Sequence, residues 1–471
     1  MKKIIVFLIT LIVVSFINIK PTYAASPFYQ GEQIPNIYIN KYNPNDNLIY
    51  YHPARIIRQH GTNNIAYCLE PFTDLNDTDS YQETSRPTTY NETQTEYLTL
   101  IAHFGYGYEN HTDSKWYAIT QMLIWKITNP TSRYYYTSTP NGEKITFTNE
   151  EQEIYDLVEN YRKNTSFNNN TYTIVSNNRF TKTDLNRVLS SYKSTDQSIE
   201  IYDNLIQTPI LKTGKYEIVL EKESIKHNQP ILFYQSETNQ DVITLGDPPK
   251  RYNKFTINVI DTKLIINKLD YDTNSSIPSG NAKIKGTILS LYKNNSFIKD
   301  IEIDETGTIT LNNLNFGSYY LKEKTPGQGY TLNTNKYNFT LDENNPQKTI
   351  NIKNKIIKGK LIIHKQYGNN NSFNPEPNIS FNIYDQSNNL IQTIMTDNSG
   401  TAEITLPYGK YTLTQLTTTE GYQKVEPITF EITTNNQVIE KILKNYKIEV
   451  PNTSKKSLLE LIIEFIKEII C

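Results

Sequence analysis

The feature that most constrains the fold of this chain is an internal repeat that occupies residues 262–446. Each copy opens with an apolar segment ending in a lysine, continues with a Gly-x-Tyr and a Gly-Tyr element at equal spacing, and closes with an asparagine. The offset of about one hundred residues is the size of a β-sandwich module. The corresponding positions are Lys268 and Lys365, Gly317 and Gly409, Gly329 and Gly421, and Asn354 and Asn445.

The chain as a whole is predicted to be mainly β and multidomain, because 471 residues are too many for one core. Apolar residues at helical spacing predict helices over 95–106 and 114–127, and an N-cap at Asn149 predicts a third helix to about residue 163. We therefore expect an α+β head followed by a β domain and two β-sandwiches. The predicted segments are a signal peptide (1–24), the head (25–165), the middle segment (166–261), the first repeat (262–357), the second repeat (358–447) and the tail (448–471).

The N-terminus predicts export from the cell. Lys2 and Lys3 precede an apolar run from Ile4 to Ile19, and Ala24 ends a small-residue cleavage motif. A membrane-anchoring helix is the alternative interpretation, which the shortness of the run and the cleavage motif disfavour.

Composition and cysteine content narrow the functional classes. A net charge of −2 lacks the basic surplus that nucleic-acid binding needs. We also expect no metal ion, no cofactor and no enzymatic turnover. The two cysteines are Cys68 and Cys471, so an exported head holds one cysteine without a nearby disulfide partner. Such a thiol is either reactive or buried and inert.

The repeat resembles the CnaB-type, or SpaA-like prealbumin, domains of Gram-positive surface proteins. In that family a lysine on the first strand and an asparagine on the last form a spontaneous isopeptide bond, assisted by a buried acid on a middle strand. The resemblance implies this role for Lys268, Asn354 and Glu323 in the first repeat.

The chemistry of such a bond follows from burial. Burial lowers the pKa of a lysine and frees its amine, and it raises the pKa of the acid, which can then pass a proton to the asparagine carbonyl and to the departing ammonia. By analogy with a disulfide that closes a similar loop, the bond adds on the order of 4–5 kcal/mol of stability.

The second repeat departs from this pattern. Gln415 occupies the position of the acid, and an amide cannot relay a proton as a carboxylic acid does. The sequence therefore leaves open whether Lys365 and Asn445 form a bond.

Two segments of the head carry a second resemblance. Tyr67-Cys68-Leu69-Glu70-Pro71 and the Gln-x-x-x-Trp segment from Gln121 to Trp125 resemble the thioester domains of Gram-positive adhesins, over roughly residues 30–165. The resemblance implies a thioester between Cys68 and Gln121, formed by attack of the thiolate on the carboxamide with loss of ammonia. A partner amine, such as a lysine of a host protein, then attacks the activated carbonyl.

A thioester hydrolyses slowly in water, so aromatic side chains are expected to shield it. Tyr67, Trp125 and Trp116 are the candidates, and Trp125 lies one helical turn beyond Gln121. His103 is a candidate for proton transfer. In the alternative interpretation, the helix face that carries Trp125 only packs into the hydrophobic core, and the side-chain amide of Gln121 lies at the surface.

The tail resembles a sortase sorting signal at Val450, Pro451, Asn452, Thr453 and Ser454, which implies attachment to peptidoglycan in the cell wall. The charged residues that follow predict an amphipathic rather than a spanning helix. An interfacial helix or a truncated sequence are the alternatives.

The leading hypothesis is a secreted, wall-anchored covalent adhesin with a reactive head on a crosslinked stalk. One alternative is a structural pilus or surface-layer subunit with an inert Cys68. Another is a secreted cysteine hydrolase that uses Cys68 and His103, although a strand cysteine lacks the helix N-terminus that activates many such thiols. The sequence does not identify the covalent target or show whether chains polymerise.

Overall fold

The computed structural model describes residues 28–62, 64–75, 81–84, 87–237, 239–369, 372–449 and 458–469. The predicted signal peptide and the motif from Val450 to Ser454 lie outside these ranges. In the described part of the chain, no helix has both the length and the apolar character needed to cross a bilayer.

The predicted mainly β, multidomain architecture is confirmed. The helices are α1 Glu92–Phe104, α2 Lys115–Thr128, α3 Thr148–Arg162 and α4 Leu458–Ile469. The strands of the head are β1 Phe28–Asn43, β2 Leu48–Gln59, β3 Ile65–Cys68, β4 Gln82–Thr84, β5 Arg133–Thr137 and β6 Lys144–Ile145. Those of the middle segment are β7 Thr171–Val175, β8 Asn178–Thr183, β9 Lys193–Ser194, β10 Glu200–Tyr202, β11 Leu205–Leu211, β12 Gly214–Lys222, β13 Phe233–Gln235, β14 Val242–Thr244 and β15 Arg251–Ile260.

The repeats supply the other strands. In the first repeat they are β16 Lys263–Asp270, β17 Ile288–Lys293, β18 Ser296–Glu302, β19 Thr308–Asn312, β20 Gly317–Thr325, β21 Lys336–Leu341 and β22 Gln347–Asn354. In the second they are β23 Lys358–Asn369, β24 Ser372–Pro375, β25 Ser380–Asp385, β26 Leu390–Met395, β27 Thr401–Pro407, β28 Gly409–Gln415, β29 Ile428–Ile432 and β30 Gln437–Tyr446.

The described residues cluster into two compact units. One extends to Tyr172 and includes 179–210 and 215–257; the other holds 173–178, 211–214 and the chain from Asn258 onward. The second unit thus contains both repeats.

The sheet of the head includes strands from the middle segment, which the predicted boundary at residue 165 did not anticipate. Its order is β4-β13-β14-β3-β2-β1-β5-β6. The hairpin of β13 and β14 covers the free edge of β3, and Val242 lies opposite Cys68 in the register. Val242 and Ile243 are fully buried, so the hairpin belongs to the core of the head.

Helix α2 is buried on nearly all sides, as expected for a helix packed against both a sheet and other helices. Every residue from Trp116 to Trp125 is buried. At the end of α1, a Cβ added to Gly105 would stand 2.1 Å from Oγ1 of Thr120, so only glycine lets the two helices approach this closely.

The predicted helix starts differ from those observed. Asn149 lies inside α3, whose N-cap is Phe147 with no side-chain cap. The capping box of the head lies instead at Asn91, whose Oδ1 accepts from the Gln94 backbone at 2.9 Å while Gln94 Oε1 accepts from the Asn91 backbone.

The middle segment also forms two small sheets of its own, in the orders β7-β15-β12-β9 and β10-β11-β8. Phe167, Phe180 and Phe255 pack their rings together and are buried. Many of the tight turns along the described chain place an asparagine at positive φ, which suits an Asn-rich sequence.

Each repeat packs two sheets on one core, as the β-sandwich prediction requires. In the first repeat the sheets are β19-β16-β22 and β18-β17-β20-β21; in the second they are β24-β23-β27, with β30 also on β23, and β26-β25-β28-β29. The first and last long strands run parallel in both, β16 with β22 and β23 with β30. This pairing carries the lysine of the opening strand toward the asparagine of the closing strand.

Candidate functional site

Cys68 and Gln121 lie side by side in the core of the head. The Cys68 backbone N–H donates to Gln121 Oε1 at 2.8 Å, and Gln121 Nε2 donates to the Cys68 carbonyl at 2.8 Å. Both residues are buried, with exposed fractions of 5% and 4%. The carboxamide is therefore fixed by two hydrogen bonds against the residue that bears the thiol.

Three elements produce this arrangement. Strand β3 lies between β2 and the β13–β14 hairpin, so Cys68 is on an interior strand. Helix α2 packs across β1, β2 and β3 and turns Gln121 toward the strand. Tyr117, one turn earlier in α2, donates to the Ala66 carbonyl at 2.6 Å and accepts from the Ile57 backbone, which locks the helix onto the sheet.

A cavity of about 100 Å³ adjoins the pair. Its lining includes Cys68, Gln121, Trp125, His52 and Lys41. The side chain of Lys41 is buried; its Nζ donates to the Pro71 carbonyl and lies 4.7 Å from the centroid of the Trp125 ring. Sequence reasoning missed Lys41, although it continues the alternation of buried Ile37 and Ile39 along β1.

Burial sets the charges around the thiol. It raises the pKa of Cys68, an effect that the charge of Lys41 opposes. Burial lowers the pKa of Lys41 to about 8, against the opposing charges of Cys68 and Asp74. Burial and the charge of Lys41 together lower the pKa of His52 to about 4, so this imidazole is neutral at pH 7.

The predicted aromatic shield is only partly in place. Trp125 lines the cavity, whereas Tyr67 does not. Tyr67 is fully buried behind Tyr117, with the rings stacked at 4.8 Å, and Tyr117 is the tyrosine that lines the cavity. Trp116 stacks on His111 at 3.6 Å and is not part of the lining.

His103 does not face Cys68. Its Nδ1 lies 2.9 Å from the Gly246 carbonyl and its Nε2 lies 2.7 Å from Ser224 Oγ. His227 and Asp247 complete a cluster whose ligand-type atoms lie within 4.8 Å of one another. Because both ring nitrogens of His103 have protein partners, the cluster is explained as a hydrogen-bond network, and the hypothesis of a Cys68–His103 hydrolase has no geometric support.

In the first repeat the three predicted residues meet in the core. Lys268 Nζ lies 3.6 Å from Glu323 Oε2, and Asn354 Nδ2 donates to both carboxylate oxygens at 2.7 and 2.9 Å. All three are at most 2% exposed. Burial lowers the pKa of Lys268 to about 8, while Glu323 acts in the opposite direction. Oδ1 of Asn354 is buried and has no hydrogen-bond partner among the described residues.

In the second repeat the structure corrects the prediction about the acid. Lys365 and Asn445 are both 1% exposed and close to one carboxylate, but that carboxylate belongs to Glu376. Gln415, aligned with Glu323, instead donates to the Thr417 carbonyl at 2.7 Å and accepts from the Val425 backbone at 3.0 Å. No role for Glu376 was predicted from the sequence.

Two protein-family models match parts of this chain. Residues 65–164 match the thioester domain model, and residues 262–356 and 359–447 match the model of the SpaA prealbumin-like fold domain. The chain combines a thioester domain with two SpaA-type prealbumin-like domains. The resemblance predicted from sequence is thereby confirmed.

The comparison with solved structures matches this chain to two TIE proteins and a minor pilin, all at low sequence identity. The Bacillus anthracis TIE protein is 18% identical, with 90% of this chain and 84% of that chain covered and a TM-score of 0.36. The thioester domain of the Staphylococcus aureus TIE protein is 19% identical, with 50% and 96% covered and a TM-score of 0.36. The minor pilin of Streptococcus agalactiae is 18% identical, with 41% and 99% covered and a TM-score of 0.23. A search of curated proteins gives no match.

Proposed function

We propose that this chain is a covalent surface adhesin, in which an internal Cys68–Gln121 thioester of the head captures a partner amine. The observation that carries the proposal is the pair of 2.8 Å hydrogen bonds holding the Gln121 carboxamide against Cys68. The thioester family model over residues 65–164 supports it. The partner class is an accessible primary amine, such as a lysine side chain of a host protein.

The bond forms by exchange of one acyl substituent for another. The sulfur of Cys68 attacks the side-chain carbonyl carbon of Gln121, the C–N bond breaks, and Nε2 leaves as ammonia with the proton of the thiol. The backbone N–H of Cys68 donates to Gln121 Oε1, where negative charge develops during the attack. That one donor favours both formation of the thioester and its later opening.

Capture of a partner is the reverse exchange with a different amine. The amine attacks the same carbonyl carbon, an amide forms to Gln121, and Cys68 leaves as a thiolate that regains a proton. Burial disfavours the thiolate, and the ammonium of Lys41 beside the same cavity offsets this cost. Lys41 thus assists departure of the sulfur.

The first repeat is proposed to carry a Lys268–Asn354 isopeptide bond as part of the stalk. The amine of Lys268 attacks the Asn354 carbonyl carbon, Glu323 relays the proton, and ammonia leaves. The buried Lys268–Glu323–Asn354 contacts support this step. Export, surface display and sortase anchoring through the tail belong to the same proposal.

The test of the reactive head is intact mass spectrometry of the purified chain with and without methylamine. We expect the untreated chain to lack the mass of one ammonia that Cys68→Ala restores. Methylamine should add to Gln121 in the wild type and in Cys471→Ala, but not in Cys68→Ala. A wild-type chain that keeps a free Cys68 thiol and takes up no methylamine would leave a structural subunit as the better interpretation.

A further inference from the structure

The second repeat contains a buried acid that alignment of the two repeats does not reveal. Glu376 stands in the sequence Pro375-Glu376-Pro377, in the loop between β24 and β25. Its exposed fraction is 0%. The carboxylate lies between the side chains of Lys365 and Asn445, which are themselves buried.

The distances match those needed for proton transfer. Lys365 Nζ lies 2.6 Å from Glu376 Oε2, and Asn445 Nδ2 lies 3.0 Å from Oε2 and 3.3 Å from Oε1. Oδ1 of Asn445, like that of Asn354, is buried without a hydrogen-bond partner in the described chain. The carbonyl oxygen of Asn445 is therefore free to accept a proton, and the buried acid contacts the nitrogen of the same side-chain amide.

The backbone explains how Glu376 reaches this position from a different strand. Strand β24 pairs with the end of β23, with Pro375 opposite Gln366. The Glu376 N–H then donates to the Lys365 carbonyl at 2.9 Å. The Thr419 N–H donates to Oε1 at 3.0 Å and orients the carboxylate. The following proline restricts Glu376 to extended backbone conformations, which helps to hold the side chain inward.

We propose that Glu376 is the catalytic acid for an isopeptide bond between Lys365 and Asn445. The neutral amine of Lys365 attacks the Asn445 side-chain carbon while Glu376 gives its proton to Oδ1. The C–N bond then breaks, Nδ2 leaves as ammonia with the proton lost by the lysine nitrogen, and Glu376 recovers its own. The products are one amide and one ammonia, and no oxidant or cofactor is consumed.

The inference extends the crosslink chemistry of the proposed function, and it is independent of Cys68. The same three-group geometry is reached in the first repeat with the acid on β20 and in the second with the acid beside β24. The side chain of Gln415 is bound to the backbone of Thr417 and Val425, so it is a spectator in this reaction.

Peptide mapping by mass spectrometry of the full chain tests the assignment. We expect the wild type to yield a linked peptide pair containing Lys365 and Asn445, with the mass of one ammonia missing. Glu376→Gln should slow this bond at least about a hundredfold, as loss of a general acid does, and leave free Lys365 and Asn445 peptides. Gln415→Ala should retain the bond.

The outcomes distinguish failure of this inference from failure of the proposed thioester and of the first crosslink. A wild-type chain with Lys365 unlinked, or a Glu376→Gln chain linked at the wild-type rate, would overturn the role of Glu376. The Lys268–Asn354 peptide and methylamine uptake at Gln121 report the other two sites in the same samples. If Glu376→Gln misfolds, an unlinked Lys365 in wild type, or loss of the bond in Gln415→Ala, would still overturn the inference.

Discussion

At the scale of single residues, the head and the repeats each bury a nucleophile beside a carboxamide, but burial acts on the two nucleophiles in opposite ways. Burial lowers the pKa of Lys268 and so frees its amine, whereas it raises the pKa of Cys68 and disfavours the reactive thiolate, an effect that the charge of Lys41 opposes. The difference lies in the nucleophile. A buried thiol yields an acyl group that an amine can displace, whereas a buried amine yields an amide that persists.

The role of Lys41 predicts a pH-dependent effect on amine capture. Below pH 8 the ammonium favours departure of the Cys68 thiolate, and above the Lys41 pKa of about 8 this advantage is lost. We therefore expect Lys41→Met to take up methylamine about tenfold more slowly at pH 7, equivalent to about one pKa unit of the thiol.

The measurement is the ratio of wild-type to Lys41→Met uptake rates over a pH series, which cancels the titration of methylamine itself. The ratio should fall as the pH rises through about 8. Lys41→Arg, which keeps its charge at high pH, should show no such fall. A constant ratio for Lys41→Met would contradict an electrostatic role.

Lys268 predicts a second pH profile. Its amine must be neutral to attack Asn354, and burial lowers its pKa to about 8. In chain isolated unfolded in urea and then folded by dilution, the rate of bond formation should rise with pH and level off above about 8. Mass spectrometry of quenched samples measures the rate, and a rate that keeps rising to pH 10 would argue against a depressed lysine pKa.

The reactive residues could be predicted from the sequence where they belong to a recognised family motif. Cys68 with Gln121, and Lys268 with Asn354, are pairs that the structure brings together. Lys41 and Glu376 were missed because a charged residue is expected at the surface, and only the fold shows that it is buried. A lone glutamate between two prolines was the one available sign of Glu376.

At the scale of elements, the reactive pair depends on how closely α1 and α2 approach. Gly105 ends α1 against Thr120, the residue before Gln121 in α2. Helices α1 and α2 could be predicted from the periodicity of their apolar residues. The hairpin of β13 and β14 could not be assigned to the head, because strand pairing across more than one hundred residues leaves no local signal.

Gly105→Ala is therefore expected to displace α2 and slow thioester formation. The added methyl group would overlap Thr120 Oγ1, Thr120 Cγ2 and the Ile101 carbonyl, and overpacking of this kind costs about 1–3 kcal/mol. The readouts are the free energy of unfolding in urea and the fraction of chain with the Cys68–Gln121 bond. In a double-mutant cycle with Thr120→Ala, the double variant should lose less free energy of unfolding than the sum of the two single variants. A loss equal to that sum would show that the strain does not come from the contact between these two residues.

At the scale of the whole molecule, the two repeats should be stabilised separately. The proposed crosslinks close loops of similar length, from Lys268 to Asn354 and from Lys365 to Asn445. Asn354→Ala and Asn445→Ala should each lower the free energy of unfolding of their own repeat by about 4–5 kcal/mol.

Hydrogen exchange followed by peptide mass analysis resolves the two repeats. Asn351→Ala, on the same strand as Asn354 but exposed, is the matched control and should leave exchange in the first repeat nearly unchanged. Equal losses in both repeats from either variant would contradict separate stabilisation.

The parallel pairing of β16 with β22 has a mechanical consequence once Lys268 and Asn354 are joined. Tension applied at the start of β16 is transmitted through the Lys268–Asn354 bond to the chain that follows Asn354. Residues 269–353 therefore carry none of this tension. At about 3.3 Å per residue, that shielded segment would otherwise add roughly 280 Å of extension. A pulled first repeat should therefore lengthen by only the few residues outside the crosslink, and behave as an almost inextensible tether.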